Sequence, residues 1–457
     1  MANDITKQGV LFKGLSKKAL IARFDQEQAS SDGGAILLKA CDERLGLSAR
    51  LAACLTDGRQ QTKVEHSYRE LFQQRMFGIA CGYADGNDAA RLAGDPVFKL
   101  LSGRDPVSGS ALASQPTLSR FENAPGAAEL FRMSEAVAES VIQRQRRRKR
   151  RVKLITIDLD PTDDLVHGGQ QLSFFNRLYD NRCYLPLAGF LTFDGEPEQY
   201  LFCYLLRPGN AAAKQGCLGI LKRLLPRLRR AFPKAKLRIR LDAGFTGPEL
   251  YEFFEAERLE YVVCMAKNAR LLAFAEPLLV PLRQAVAAEE AFTPAFGEYL
   301  YRAHRWNRAR RVIIKADIAL HPGRPPKDNP RFIVTNLKTS PKHVYRAIYC
   351  ARGDMENRIK ELKDGLQIDR TSCVSFKANQ LRVLITAAAY VLMQELRLRA
   401  RGTRCARAQV DTLRLRLLKL GAWIDISVRR IVVHLPLTAP YANEWRRIAR
   451  AVGAVPT

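Results

Sequence analysis

The sequence predicts an α/β fold: a mixed five-stranded sheet flanked by helices, interrupted by a β-rich insertion and preceded by an α-helical N-terminal domain. Three observations carry this reading. Apolar runs of strand length recur between 152 and 265 in the order three strands, helix, strand, helix, strand. Residues 1–145 show helical periodicity broken by Gly/Pro/Asp-rich turns such as GYADGNDAARLAGDP and LSGRDPVSGS. From 266 to 338 the texture becomes β-like and basic, and helical periodicity then returns.

Each element has its own signal. VKLITIDLD (152–160) reads as a strand ending in acids. YLPLAGFLTF (184–193) and YLFCYLLRPG (200–209) flank DGEPEQ, a hairpin pattern. A helix over roughly 211–232 leads to the strand KLRIRLDAGF. Pro248 suits the first turn of the helix PELYEFFEAERL, and YVVCMAK is the strand after it. The insertion holds EYLYRAHRWNRARRVIIKADIAL, a Pro-rich turn and RFIVTNL. Helices over 348–366 and 379–398 complete the core. An Arg-rich tail follows, with a hairpin pattern in AWIDISVRRIVVHL and a closing helix. The expected divisions are 1–145, 146–265, 266–338, 339–400 and 401–457, and no internal repeat is found.

With 47% hydrophobic and 26% charged residues, the 457-residue chain is globular in composition. Its net charge of +28, from 74 Lys+Arg against 46 Asp+Glu, points to a polyanionic partner, of which nucleic acid is the commonest. The N-terminus lacks an apolar signal core, and no run approaches the ~18 apolar residues of a spanning helix. A cytosolic protein without a membrane partner is expected. None of the ten cysteines forms a C-x-x-C pair, so reduced core thiols are expected rather than a zinc site.

Positive charge is concentrated twice. QRQRRRKRRVK (143–153), with Arg146, Arg147 and Arg148, holds eight basic residues and no acid between two structured regions. KRLLPRLRRAFPKAKLRIR (222–240) holds nine. Both suit phosphate contacts, with a solvated helix face as the competing reading.

The acids carry the chemistry. Asp158 and Asp160 end the first strand and Asp242 ends the fourth. If those strands are adjacent and parallel, their C-terminal ends bring the acids about 5 Å apart, where open α/β sheets place their sites. Carboxylates that close resist ionising together, and hard divalent cations relieve the repulsion. A third carboxylate would complete a site for two Mg²⁺ or Mn²⁺ ions and in-line phosphodiester displacement. Turn-capping by strand-end Asp is the bland alternative.

The stretch IYCARGDMENRIKELKDGL (348–366) offers the third acid. At about 100° per residue, Tyr349, Arg352, Glu356 and Lys363 fall within about 60° of one another, beside an apolar face of Ile348, Met355, Ile359, Leu362 and Leu366. Glu361 is expected to point away to solvent. In the insertion, Arg302, Arg305, Arg308, Arg310 and Arg311 surround His304 and Trp306, a setting that suits stacking on an unpaired base or plain core packing. His167, in LVHGGQQ, suits proton transfer, a DNA contact or a structural hydrogen bond.

The spacing Y-x2-R-x3-E-x6-K, with IDLDPTDDLVHGGQQLSFFNRLYD, LRPGN and RIRLDAGFTGPELYEFFE, resembles the DDE transposases of bacterial insertion sequences. The branch is the Y-R-E-K class, and the likeness is greatest to its thirteen-eighty family. The resemblance covers about 150–400 well and the flanks loosely. It implies an RNase H-like catalytic core in which Asp160, Asp242 and Glu356 bind two Mg²⁺ or Mn²⁺ ions. Asp160 is preferred over Asp158 because the family's first acid commonly precedes a turn of the D-x-T type, here Asp160-Pro161-Thr162. The resemblance further implies phosphate contacts from Tyr349, Arg352 and Lys363, and a base-flipping role for Trp306. The Trp that often precedes the family's Glu is absent, with Gly-Asp-Met in its place. The implied activity is DNA transposition in the bacterial cytosol. The ends of a mobile element, its terminal inverted repeats, are cut and their 3′-hydroxyls joined to target DNA, by a homodimer in the DNA complex and with no small-molecule substrate. A nuclease of the same fold and an inactive DNA-binding regulator are the alternatives.

Overall fold

The computed structural model describes residues 9–149 and 151–456. The chain divides into two compact units, one of 1–44, 59–119 and 395–457, the other of 45–58 and 120–394. In the first unit, short helices bury Leu37, Leu38, Phe72, Phe77 and Phe98. Tyr68–Ala80 opens on a capping box, in which Ser67 and Glu70 bond each other's backbone N–H groups. The strand Ala422–Ser427 pairs with Arg430–His434 and also with Ala29–Ser30.

The second unit is built on one eight-stranded mixed sheet. Helix α1 (Ala127–Arg148) precedes β1 (Leu154–Pro161), β2 (Leu187–Phe193) and β3 (Tyr200–Leu205). Next come α2 (Cys217–Ala231), β4 (Lys236–Leu241), α3 (Pro248–Ala256), β5 (Glu260–Met265) and α4 (Ala269–Ala287). β6 (Ala295–Tyr301), β7 (Arg310–Ala316) and β8 (Arg331–Thr335) follow. The spatial order is β6-β7-β8-β5-β4-β1-β2-β3. β1, β2 and β3 form an antiparallel meander, and β4 runs parallel to both β1 and β5. One face of the central strands is apolar, with Ile155, Ile157 and Leu159 of β1 and Ile239 of β4 fully buried; the other carries the buried pair Asp158 and Arg240.

Two expectations change. Residues 1–145 divide between the units, because α1 packs Val137, Val141 and Ile142 into the core with β3, in the second unit. Residues 266–338 do not make a separate sheet. The first part is the helix α4, rich in Ala and Leu, with Pro277 and Pro281 exposed on its surface. β6, β7 and β8 then extend the main sheet by antiparallel pairing onto β5. Only the hairpin Ile318–His321/Arg324–Asp328 stands apart. No helix among the described residues is long and apolar enough to cross a membrane.

Candidate active site

β1 and β4 are in parallel register with Asp158 opposite Arg240. Two residues further on, Asp160 and Asp242 lie side by side at the C-terminal ends of the two strands. Asp242 caps the turn that follows, its Oδ1 accepting from the Gly244 N–H at 2.8 Å. Between the two acids lies a guanidinium. Arg352 Nη2 donates to Asp160 Oδ1 and is 3.7 Å from Asp242 Oδ2. Its Nε is buried with no protein acceptor.

Burial pushes the Asp160 carboxyl up to about 7; Arg352 opposes the rise, and the nearby Asp242 and Glu356 carboxylates add to it. Glu356 is exposed on the helix α5 (Gly353–Lys360), four residues after Arg352. Among the described residues no three His, Cys, Asp or Glu side chains yet converge on one ion position. The guanidinium bridges the two strand-end acids instead. The donor set fits a hard divalent ion: the acids are oxygen-only, mutually repelling, and already share one cation.

Asp158 has different surroundings from Asp160. It is fully buried, and both of its oxygens accept from Arg240, at 2.7 Å each. Sequence reasoning missed Arg240 as a site residue. Its signal was an arginine within the apolar strand LRIRL, two residues before Asp242 and so on the same face.

The helix itself departs from ideal periodicity. Wide turns with i−5 bonding over Val344–Tyr349 and Glu361–Gly365 flank a tight turn, Cys350–Arg352, and α5. Such bulges often mark functional sites. The apolar seam Ile348, Met355, Ile359, Leu362 and Leu366 is buried. Glu361 corrects the expectation that it faces solvent. It is 5% exposed and accepts from Tyr390 Oη at 2.8 Å and Arg358 Nη1 at 2.6 Å. The apolar seam keeps its expected phase; Glu361 is buried because Tyr390 of the helix Phe376–Arg399 covers that flank.

Of the expected phosphate contacts, Lys363 pairs with Asp163 at 2.7 Å. Tyr349 is half-buried against Val262, Ile333 and Ile348, near Tyr345. Burial and the neighbouring Cys264 thiol push its phenol well up. His167, Arg305 and Arg308 are exposed, and Arg308 pairs with Glu255 at 2.5 Å. Arg148 is held by Glu196 at 2.5 Å and by Tyr200 Oη at 3.0 Å. Arg146 and Arg147 are exposed and line a cleft of about 520 Å³ together with Arg227 and Arg230 of α2.

Trp306 corrects the stacking expectation. It is 4% exposed, edge-on to Tyr251 and Tyr301, with the Arg310 guanidinium 5.2 Å from its ring. An aromatic group enclosed this way is core and offers no open face to a base. Trp306→Ala should therefore cost about 3–5 kcal/mol of stability and leave end-DNA affinity per folded molecule within about threefold, checked by denaturant unfolding beside a binding titration.

Beyond Asp160 the chain is pinned at Asp164, whose Oδ1 accepts from Thr371 Oγ1 at 2.8 Å. Burial pushes its carboxyl up to about 8, against the pull of the Thr371 bond and with Asp369 adding to the rise. The folded chain thus keeps a proton that the unfolded one, with a carboxyl near 3.9, has lost. Stability falls as pH rises between those values. Asp164→Asn should flatten this slope and raise the Tm at pH 8.5 by about 1–2 °C for each kcal/mol recovered, read from melts at pH 6 and 8.5.

A mixed α/β sheet with acids at the ends of adjacent strands defines the class of protein. Residues 12–457 match the family model of the transposase DDE domain group 1, and the chain belongs to this family of DDE transposases. No curated protein matches it. Among solved structures it is similar to a piggyBac transposase in a synaptic complex with hairpin DNA, at 10% identity and a TM-score of 0.43, over 84% of this chain and 79% of that one. Family membership bears out the expectation of a DDE transposase.

Proposed function

We propose that this transposase is a Y-R-E-K enzyme of the thirteen-eighty type with an RNase H-like core. In this reading it cuts the terminal inverted repeats of its element and joins the freed 3′-hydroxyls to target DNA, as a dimer on its DNA. The observation that carries the reading is the sharing of one cation, Arg352, by Asp160 and Asp242 at the ends of parallel strands. Asp160, Asp242 and Glu356 are the residues that would hold Mg²⁺ or Mn²⁺. When bound, such ions supply activation of water or a 3′-hydroxyl and stabilisation of the leaving oxygen. Asp158 is left out of this set because both of its oxygens are committed to Arg240.

The chain's own residues do the rest. Arg352 leaves the acids for the phosphate of the end to be cut, where its unpartnered Nε supplies a further donor. Lys363 exchanges Asp163 for a neighbouring phosphate. The cleft lined by Arg146, Arg147, Arg227 and Arg230 carries backbone further along the duplex through counterion release. The experiment is an assay on terminal-repeat DNA, intact and pre-cleaved, with and without Mg²⁺. Metal-dependent nicks together with joined products support transposition. Nicks without joined products would reduce the protein to a nuclease, and binding alone to a regulator.

A further inference from the structure

A buried three-way clamp lies beneath the acids. Arg240 Nε and Nη2 donate to Asp158 Oδ1 and Oδ2, both at 2.7 Å, and Nη1 donates to the carbonyl of Ile348 at 2.9 Å. Both side chains are almost completely buried. Gln199 Nε2 approaches Asp158 Oδ2 at 3.5 Å. The clamp joins β1, β4 and the helical segment that bears Arg352 and Glu356. On each strand its residue is two positions before a candidate ligand: Asp158 before Asp160, Arg240 before Asp242. With a strand rise of about 3.3 Å per residue, it sits roughly 7 Å below the acids.

The third bond is the informative one. Ile348 lies where helical bonding changes from i−5, with Cys350 N–H on Tyr345 O, to i−3, with Gly353 N–H on Cys350 O. Its carbonyl is tied to the strand-borne arginine at this change of pitch. A contact to backbone fixes the helix axis itself, four residues before Arg352 and eight before Glu356. Packing alone does not call for a buried ion pair, since apolar side chains of similar volume fill such space at equal or lower cost. Apolar side chains cannot hold a carbonyl.

We infer that Arg240, oriented by Asp158, is a positioning residue that sets the height of the Glu356 helix over Asp160 and Asp242, and so sets the affinity of the site for its metal. This rests on the proposed function. The test is the double variant Asp158→Leu/Arg240→Met, compared with Arg240→Lys, which keeps a charge opposite Asp158 but lacks the fork needed for three contacts. Readouts are the Tm, end-DNA affinity, the Mg²⁺ dependence of cleavage, and Mn²⁺ binding followed by electron paramagnetic resonance.

In the double variant, cleavage should fall about 10–100-fold and half-saturating Mg²⁺ and the Mn²⁺ Kd should rise about tenfold, the scale seen when a ligand's supporting residue is lost. Tm and DNA affinity should stay near wild type. Arg240→Lys should move the same quantities in the same direction, and it carries the test if the double variant does not fold. Wild-type cleavage per folded molecule and wild-type Mn²⁺ affinity in these variants, whatever their Tm, would overturn the clamp. If the wild-type protein shows no metal-dependent cleavage, the proposed function fails, and the Mn²⁺ titration alone decides the clamp.

Discussion

Glu356→Ala is expected to lower Mg²⁺-dependent cleavage of end DNA by at least about 10²–10³-fold, the scale of losing one group that stabilises transition-state charge. DNA affinity should stay within about twofold, because the proposed phosphate grip belongs to other residues. Glu356 is exposed on α5. The loss should therefore come with a stability change within about 0.5 kcal/mol, as for ordinary surface positions. Glu361 provides the contrast. Removing its carboxylate takes away the acceptor of Tyr390 Oη and Arg358 Nη1, at a cost of about 1–3 kcal/mol, with cleavage per folded molecule kept. Gel assays with and without Mg²⁺, read beside thermal melts, separate the two residues. Retained cleavage in Glu356→Ala would sink the assignment.

Arg352→Ala should move two quantities in opposite directions. Without DNA, the guanidinium is the cation that Asp160 and Asp242 share, and an incoming divalent ion must displace it. Charge-assisted hydrogen bonds of this kind are worth about 1.5–3 kcal/mol. Their removal should tighten Mn²⁺ binding to the DNA-free protein by about tenfold or more. Cleavage should fall about 10²-fold, since the same guanidinium is proposed to stabilise the phosphate being attacked. Calorimetric Mn²⁺ titration at pH 8 and the cleavage assay test both halves. Unchanged Mn²⁺ affinity would show that Arg352 is not a competitor for the site.

Much of the core was legible because its signals are local. The hairpin pattern around DGEPEQ, Pro248 at a helix start and the acid-ending strands required only short-range chemistry, and each element lies close to its expected place. The insertion was misread because a basic, aromatic-rich segment suits a separate sheet as well as three strands added to an existing edge. Nothing in RRVIIKA names its pairing partner. The site was legible in residue type and less so in contact. Periodicity brought Arg352 and Glu356 to one stripe and placed the apolar seam, yet it carried no sign that Tyr390 covers the flank of Glu361. Trp306 beside five arginines suited an exposed stacking platform equally well, and its enclosure depends on Tyr251, about fifty residues away in sequence.

The sequence by itself determined the class of protein. The order of elements, the two strand-end aspartates and the Y-R-E-K spacing are all patterns of short range, governed by backbone periodicity and charge. Tertiary structure alone decided the surroundings of each carboxylate. Asp158 and Asp160 are two residues apart on one strand face and alike in sequence. One is buried opposite Arg240 with both oxygens spent; the other sits at the strand end, paired with Arg352. The difference is one pleat of depth in the sheet. Depth sets solvation and available partners, and on that ground Asp160 rather than Asp158 is proposed to hold the metal.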